Sequence, residues 1–184
     1  MKVAKTIRHK ILNHASIFDE TIRVYNEALS FIIEVIDYEV ADTNAYSTKE
    51  MTNFIERLIH ATKSNPTPKY AQFNQRFYKF PSYFRRAAIA TAFGKVKSYR
   101  SLCENWETEK QVALENGRKF NKQRPTKQLT HKEFPVLYKG NMFKRTSDKT
   151  ACIKAFVKND WVWVDVVFRP QDVYKRGVHE WKEC

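Results

Sequence analysis

The apolar positions of this chain recur at one period in its first two thirds and at another near its end. At the amino end, the alternate positions Val3, Lys5, Ile7 and His9 within Lys2–Lys10 predict a short strand. From Ser16 onward, Phe18, Ile22, Tyr25, Leu29, Ile32 and Ile36 return at steps of three and four, which places them on one face of a long helix. Val24, Ala28, Phe31 and Val35 widen that face, so the narrow polar stripe left by Arg23, Glu27, Ser30 and Glu34 predicts a helix packed on two sides.

Ser47-Thr48-Lys49-Glu50 has the spacing of a capping box, in which the Ser hydroxyl and the Glu carboxylate satisfy free amides at a helix start. Met51, Phe54, Ile55, Leu58 and Ile59 give the buried face of that helix, and Asn65-Pro66-Thr67-Pro68 predicts the loop after it. Tyr70, Phe73, Phe77 and Phe80 again step by three and four, and Pro81-Ser82 opens the next helix with Ser82 as N-cap. This longest helix runs from about Tyr83 to about Glu115, with Phe84, Ala88, Ala92, Val96, Tyr99, Cys103 and Trp106 inward and Gly117 as terminator. Residues 118–125 read as a basic loop.

Beyond that loop the period becomes two. Phe134–Tyr138 is predicted as a strand, and Ala151–Val157 and Trp161–Phe168 form a hairpin around Lys158-Asn159-Asp160. Trp161–Val167 is aromatic or β-branched at nearly every position, the pattern of a strand buried on both faces. The order of strand, helices, then strands predicts an α+β fold. With 42% hydrophobic and 14% aromatic residues and few Gly and Pro, the 184-residue chain can fold around one core or two small lobes.

Charge changes the picture most. Thirty-three Lys and Arg against 20 Asp and Glu give a net charge of +13. Residues 1–68 carry a net −1, residues 69–150 a net +13 and residues 151–184 a net +1, so the excess is confined to the middle. Such a concentration fits a surface for a polyanion better than general solubility. The three cysteines, Cys103, Cys152 and Cys184, show no paired spacing, which favours a reducing compartment without a disulfide framework or zinc ribbon. No signal peptide and no membrane span is predicted, so the expected location is cytoplasmic, nucleoid-associated, with no membrane partner.

On the long helix Arg86, Lys97 and Arg100 fall on one strip, able to track phosphates, although Glu104 shares it and a solvated face explains the pattern about as well. Tyr78, Tyr83, Tyr99 and Tyr138 are interleaved with basic residues, a mixture suited to phosphates and bases, while core packing is the better account of any single one. Lys139-Gly140-Asn141 reads as a turn whose polar side chains either reach nucleic acid or face solvent. The candidate contacts are Arg76, Tyr83, Arg85, Arg86, Lys95, Lys97, Tyr99, Arg100, Lys139, Asn141, Lys144 and Arg145. Asp165 lacks the partner carboxylates of a two-metal nuclease, and His9, His14, His60, His131 and His179 share no metal spacing. No catalytic residue, metal or cofactor is expected.

Several blocks together resemble the amino-terminal half of TnpB-like proteins, the transposon-encoded RNA-guided nucleases related to type V CRISPR effectors. They are Tyr25–Leu29, Phe80–Ala90, Ser98-Tyr99, Trp106, Tyr138–Phe143 and Trp161–Val164. The resemblance implies a wedge-like split β-barrel, with residues 1–14 and 131–184 contributing strands around a helical recognition lobe of residues 15–130. It also implies guide-like RNA and target DNA as partners. A RuvC-like domain follows the barrel in that family and is not encoded before Cys184, so the expectation is the binding portion of such a protein, not an enzyme as an isolated chain. The alternatives are a subunit of a split nuclease whose RuvC-like domain lies on another chain, and a degenerate transposase-related fragment.

Overall fold

Thr21, on the first helix, is wholly buried, and its hydroxyl accepts the Phe156 amide at 2.8 Å, tying the helical part of the molecule to its sheet. The computed structural model describes residues 9–13, 16–128 and 131–170. Its elements in chain order are β1 (His9–Ile11), α1 (Ile17–Glu39), α2 (Thr48–Ile59), α3 (Gln72–Arg76), α4 (Ser82–Glu115), β2 (Phe143–Arg145), β3 (Thr150–Val157) and β4 (Asp160–Pro170). The fold is α+β.

α1 packs on two sides, as its wide apolar face predicts. Near its start Phe18, with Ile17 and Ile22, meets Ala151, Ile153, Ala155, Val164, Val166 and Phe168 of the sheet. Further along, Tyr25, Leu29, Ile32 and Ile36 join Met51, Ile55 and Ile59 of α2 and Phe84, Ala88 and Ala92 of α4 in the larger core. Burial pushes the Tyr25 phenol up to about 12, although its hydrogen bond with Thr91 acts the other way. Phe73, on the one-turn α3, fills the gap beside α1: its ring lies 5.5 Å from Phe31, 4.9 Å from Phe77 and 6.0 Å from Phe80. These tilted and edge-on contacts are the arrangement aromatic quadrupoles favour.

The α2 capping box is formed: Ser47 Oγ accepts the Glu50 amide at 3.3 Å and the Glu50 carboxylate accepts the Ser47 amide at 2.8 Å. At α4 the N-cap is Pro81, and Ser82 is the first helical residue with no side-chain cap. The buried side of α4 ends sooner than its apolar spacing predicts. Its last buried residue is Val96, and nothing from residue 97 to 115 is buried. Tyr99 and Cys103 are half-covered, and Trp106 meets Phe120 at 5.5 Å and the Lys110 ammonium at 5.0 Å and donates Nε1–H to the Lys122 carbonyl at 2.8 Å.

The sheet runs β1-β4-β3-β2, all antiparallel. The amino-terminal strand therefore does join the carboxy-terminal hairpin, with His9–Ile11 against Phe168–Pro170, while Val3–Arg8 lies outside the described residues. β1 and β2 are three-residue edges that do not pair with each other, so among the described residues the sheet is open. Four strands with such short edges do not complete the circumference of the expected barrel. Lys158 and Asn159 both have positive φ, 49° and 62°, and form a two-residue hairpin turn. Phe134–Tyr138, predicted as a strand, joins no ladder among the described residues; Asn26 holds the chain just before it instead, through Glu133.

β4 is not buried on both faces. Val164, Val166 and Phe168 point into the core, whereas Trp163, Asp165 and Val167 are exposed. Trp161 is on the outward side by register too, but it sits at the hairpin tip, against the helical core. There its ring meets Phe84 at 4.9 Å, Phe80 at 5.7 Å and Phe156 at 5.1 Å.

Candidate nucleic-acid interface

The nine cations among the twelve candidate contacts separate into three groups. Two of them serve the fold. Arg85 is 6% exposed and pairs with Glu56 at 3.2 Å; burial lowers its pKa, and Glu56 counters that. Arg100 closes the carboxy end of α1, donating to the carbonyls of Val40 at 2.6 Å, Ala41 at 3.0 Å and Asp37 at 3.2 Å. It also pairs with the Asp37 carboxylate at 3.1 Å, and Lys127 reaches the same carboxylate at 2.5 Å. A cation at a helix carboxy end satisfies free carbonyls and the macrodipole together.

Four others are paired but near solvent. Arg76 lies 3.6 Å from Glu27, Arg86 3.4 Å from Glu56, Lys95 2.9 Å from Glu133 and Arg145 3.6 Å from Asp148. Exposed pairs of this kind are weak and can exchange a carboxylate for a phosphate. Lys97, Lys139 and Lys144 form no ion pair among the described residues: Lys97 sits 5.9 Å from the Phe93 ring centroid, and Lys144 lies 4.4 Å over Trp163. The strip of Arg86, Lys97 and Arg100 thus keeps one unpaired cation.

The structure does bring part of the set together. Tyr83 on α4 packs on Tyr138 at 5.1 Å, which sets the start of the long helix beside the 138–145 turn. The Tyr138 carbonyl accepts the amides of Met142 at 2.8 Å and Asn141 at 3.2 Å. Gly140 takes φ 84°, a conformation that strains other residues, and donates to the Phe143 carbonyl at 2.8 Å. Met142, almost wholly buried, anchors the turn in the helical core, and Phe143 anchors it in the sheet. Lys139, Asn141, Lys144 and Arg145 are then left exposed, and Lys139, Lys144 and Arg145 border an open concavity of about 700 Å³.

Lys95 and Tyr99 lie elsewhere, in a cleft of about 510 Å³ lined by α4 with Thr126, Lys127, Gln128 and His131. His131 lines it with a buried Nδ1 that has no partner among the described residues; burial, then Lys95, lowers its pKa. Tyr99 is raised first by its hydrogen bond with Cys103.

Asp165 lies on β4 opposite Cys152 of β3. It is exposed and accepts a hydrogen bond from the Cys152 thiol at 2.8 Å, which raises the thiol pKa. Among the described residues no three His, Cys, Asp or Glu side chains gather where a metal ion could sit, and no helix is long and apolar enough to cross a membrane.

Sequence reasoning missed the outward face of the sheet, where Trp163 lies among Lys144, Lys154, Asp165 and Val167. The available signal was polar punctuation: Cys152 and Lys154 on β3 stand opposite Asp165 and Trp163 on β4. Polar residues at every second position, in register across two strands, mark a wet face.

Over residues 5–157 the sequence matches the Aq_aa04 family, and the chain belongs to that family. No curated protein matches the chain, and no solved structure does.

Proposed function

We propose that this protein binds nucleic acid and that it acts as a binding component, not as a nuclease. Guide-like RNA and target DNA are the ligands that the TnpB resemblance implies. The observation that carries the reading is the net +13 of residues 69–150, together with the Lys139–Arg145 turn, where the fold leaves cations exposed. Ion pairing accounts for Arg85 and Arg100 but, among the described residues, leaves Lys97, Lys139 and Lys144 without a carboxylate partner. Backbone phosphates are the polyanion for which such a surface gains most, because each contact releases condensed counterions.

The test is a titration of the whole chain against RNA and duplex DNA over a range of salt. Affinity should fall linearly with salt on logarithmic axes, by about 0.9 of a decade per decade of salt for each duplex phosphate contacted. Absence of binding at low salt, or binding indifferent to salt, overturns the reading. Sequencing RNA that co-purifies with the chain from its host tests the guide: one recurrent species supports it, and a random sample of cellular RNA removes the RNA-guided part.

A further inference from the structure

We infer that the outward face of the sheet is a stacking platform for single-stranded nucleic acid, with Trp163 receiving a base and the surrounding cations receiving phosphates. The inference rests on the proposed nucleic-acid reading and names a surface and a ligand form that the reading does not.

Cross-strand pairing places these residues. Lys154 stands directly opposite Trp163, Cys152 opposite Asp165 and Lys144 opposite Cys152, so all five share one face of β2, β3 and β4. At the other end Lys10 stands opposite Arg169, and Leu12 donates its amide to the Val167 carbonyl at 2.8 Å, which extends the same face onto β1. Trp163 and Val167 are each 39% exposed and Leu12 is 55% exposed. Among the described residues α1 packs against the opposite face, and α4 reaches this side at the hairpin tip, through Trp161.

A large aromatic ring exposed at the centre of an uncovered strand gains nothing for the core, since the core of this sheet is on its other side. Its surroundings say what it suits. Lys10, Lys144, Lys154 and Arg169 face outward with Asp165 as the acid among them, so the face is strongly positive around an apolar centre. The Lys144 and Lys154 ammonium groups lie 4.4 and 5.9 Å from the Trp163 ring centroid. Cation–π contacts at an exposed site are weak, so a phosphate can draw these heads aside while a base takes the ring. From Trp163 to Arg169 the strand advances about 20 Å, the reach of a few nucleotides. Bases in a duplex are already stacked and paired, so the platform selects single strands.

The test compares the parent with Trp163→Thr, which keeps a β-branched strand residue, and Trp163→Phe, which keeps a ring. A uridine homopolymer and a duplex DNA are the probes, at fixed salt. Trp163→Thr should weaken homopolymer binding about tenfold or more. Trp163→Phe should recover most of that loss, and duplex binding should stay within about twofold for both, because backbone contacts do not need the ring. Unchanged homopolymer binding by Trp163→Thr, with salt-sensitive binding by the parent intact, overturns the platform and leaves the nucleic-acid reading standing. A parent that binds neither probe overturns both. If Trp163→Thr turns a self-associating parent into a monomer without changing RNA affinity, the face joins two copies of the chain and the inference falls. If Trp163→Thr does not unfold cooperatively, Lys144→Ser with Lys154→Ser decides. That pair should weaken homopolymer binding more than duplex binding, and equal losses overturn the platform.

Discussion

Asn26 on α1 grips Glu133 by both of its backbone groups: Nδ2 donates to the Glu133 carbonyl at 2.9 Å, and Oδ1 accepts the Glu133 amide at 2.9 Å. The side-chain amide does for this segment what a neighbouring strand does in a ladder, and Nδ2 also reaches the Ile22 carbonyl at 2.7 Å. Asn26 thus fixes the entry to Phe134–Tyr138, which has no strand partner among the described residues.

Asn26→Leu should therefore cost about 2 kcal/mol, because a part-buried carbonyl and amide are stranded together. Urea denaturation measures the loss. Hydrogen exchange at the Glu133 amide should accelerate, while the Ala155 amide in the hairpin keeps its protection. Equal acceleration at both positions contradicts a local role for Asn26.

Arg100 should behave as a fold residue and Lys97 as a binding residue, although both lie on the strip that reads as one phosphate track. Arg100→Ala removes the fork that closes α1 and should lower stability by about 2 kcal/mol, the scale of hydrogen bonds to charged groups. Lys97→Ala should leave stability within about 0.5 kcal/mol of the parent. If Lys97 meets a phosphate, its loss should reduce the salt slope for nucleic acid by about one. An unchanged slope makes Lys97 a solvated lysine.

Asp37 gives a pH dependence with a definite sign. Partial burial pushes its carboxyl up, but hydrogen bonds from Lys127 and Arg100 and their charges outweigh this and hold it below its ordinary value of 3.8. A carboxylate with a folded pKa below its unfolded one stabilises the protein fully above the unfolded value and loses that contribution as pH falls through the folded one. Stability should thus drop as pH falls below the ordinary carboxylate value. Asp37→Asn should flatten that limb and, at neutral pH, cost about 1 kcal/mol for this partly exposed group. Acid denaturation curves for the two proteins supply the comparison.

Much of this fold is legible in the sequence because periodicity is local. The faces of α1 and α2, the Ser47–Glu50 box and the hairpin over residues 150–168 follow from neighbours within a few positions. What is not legible depends on partners far along the chain. Arg100 lies 60 residues from the Val40 carbonyl it caps, and Asn26 lies 107 residues from Glu133. Nothing local separates such residues from solvated polar ones. The misreading of β4 has another origin. Trp163 and Val167 are apolar although their face is open, so composition alone suggests burial, and only the alternation with Asp165 and its register against Cys152 and Lys154 disclose the exposed side.

Trp161 and Trp163 are two residues apart and should answer to substitution in opposite ways. Trp161 is the contact by which the hairpin tip enters the helical core, against Phe80 and Phe84 and beside Phe156, and its indole N–H is buried with no partner among the described residues. Trp161→Ala removes the ring and should cost about 3–5 kcal/mol. The coupling of the hairpin to the helices should then weaken to what the α1 contacts supply, so that the Trp163 emission change and the loss of helical circular dichroism draw apart in denaturant. Trp161→Phe keeps most of the apolar contact and deletes a desolvated donor whose burial costs about 1–3 kcal/mol. Its net cost should therefore stay below about 1.5 kcal/mol, with the two transitions still coincident. At position 163 the same two substitutions should change stability by less than about 1 kcal/mol, because the ring is not in the core. A larger loss from Trp163→Ala than from Trp161→Ala places the wrong tryptophan at the junction between hairpin and helices.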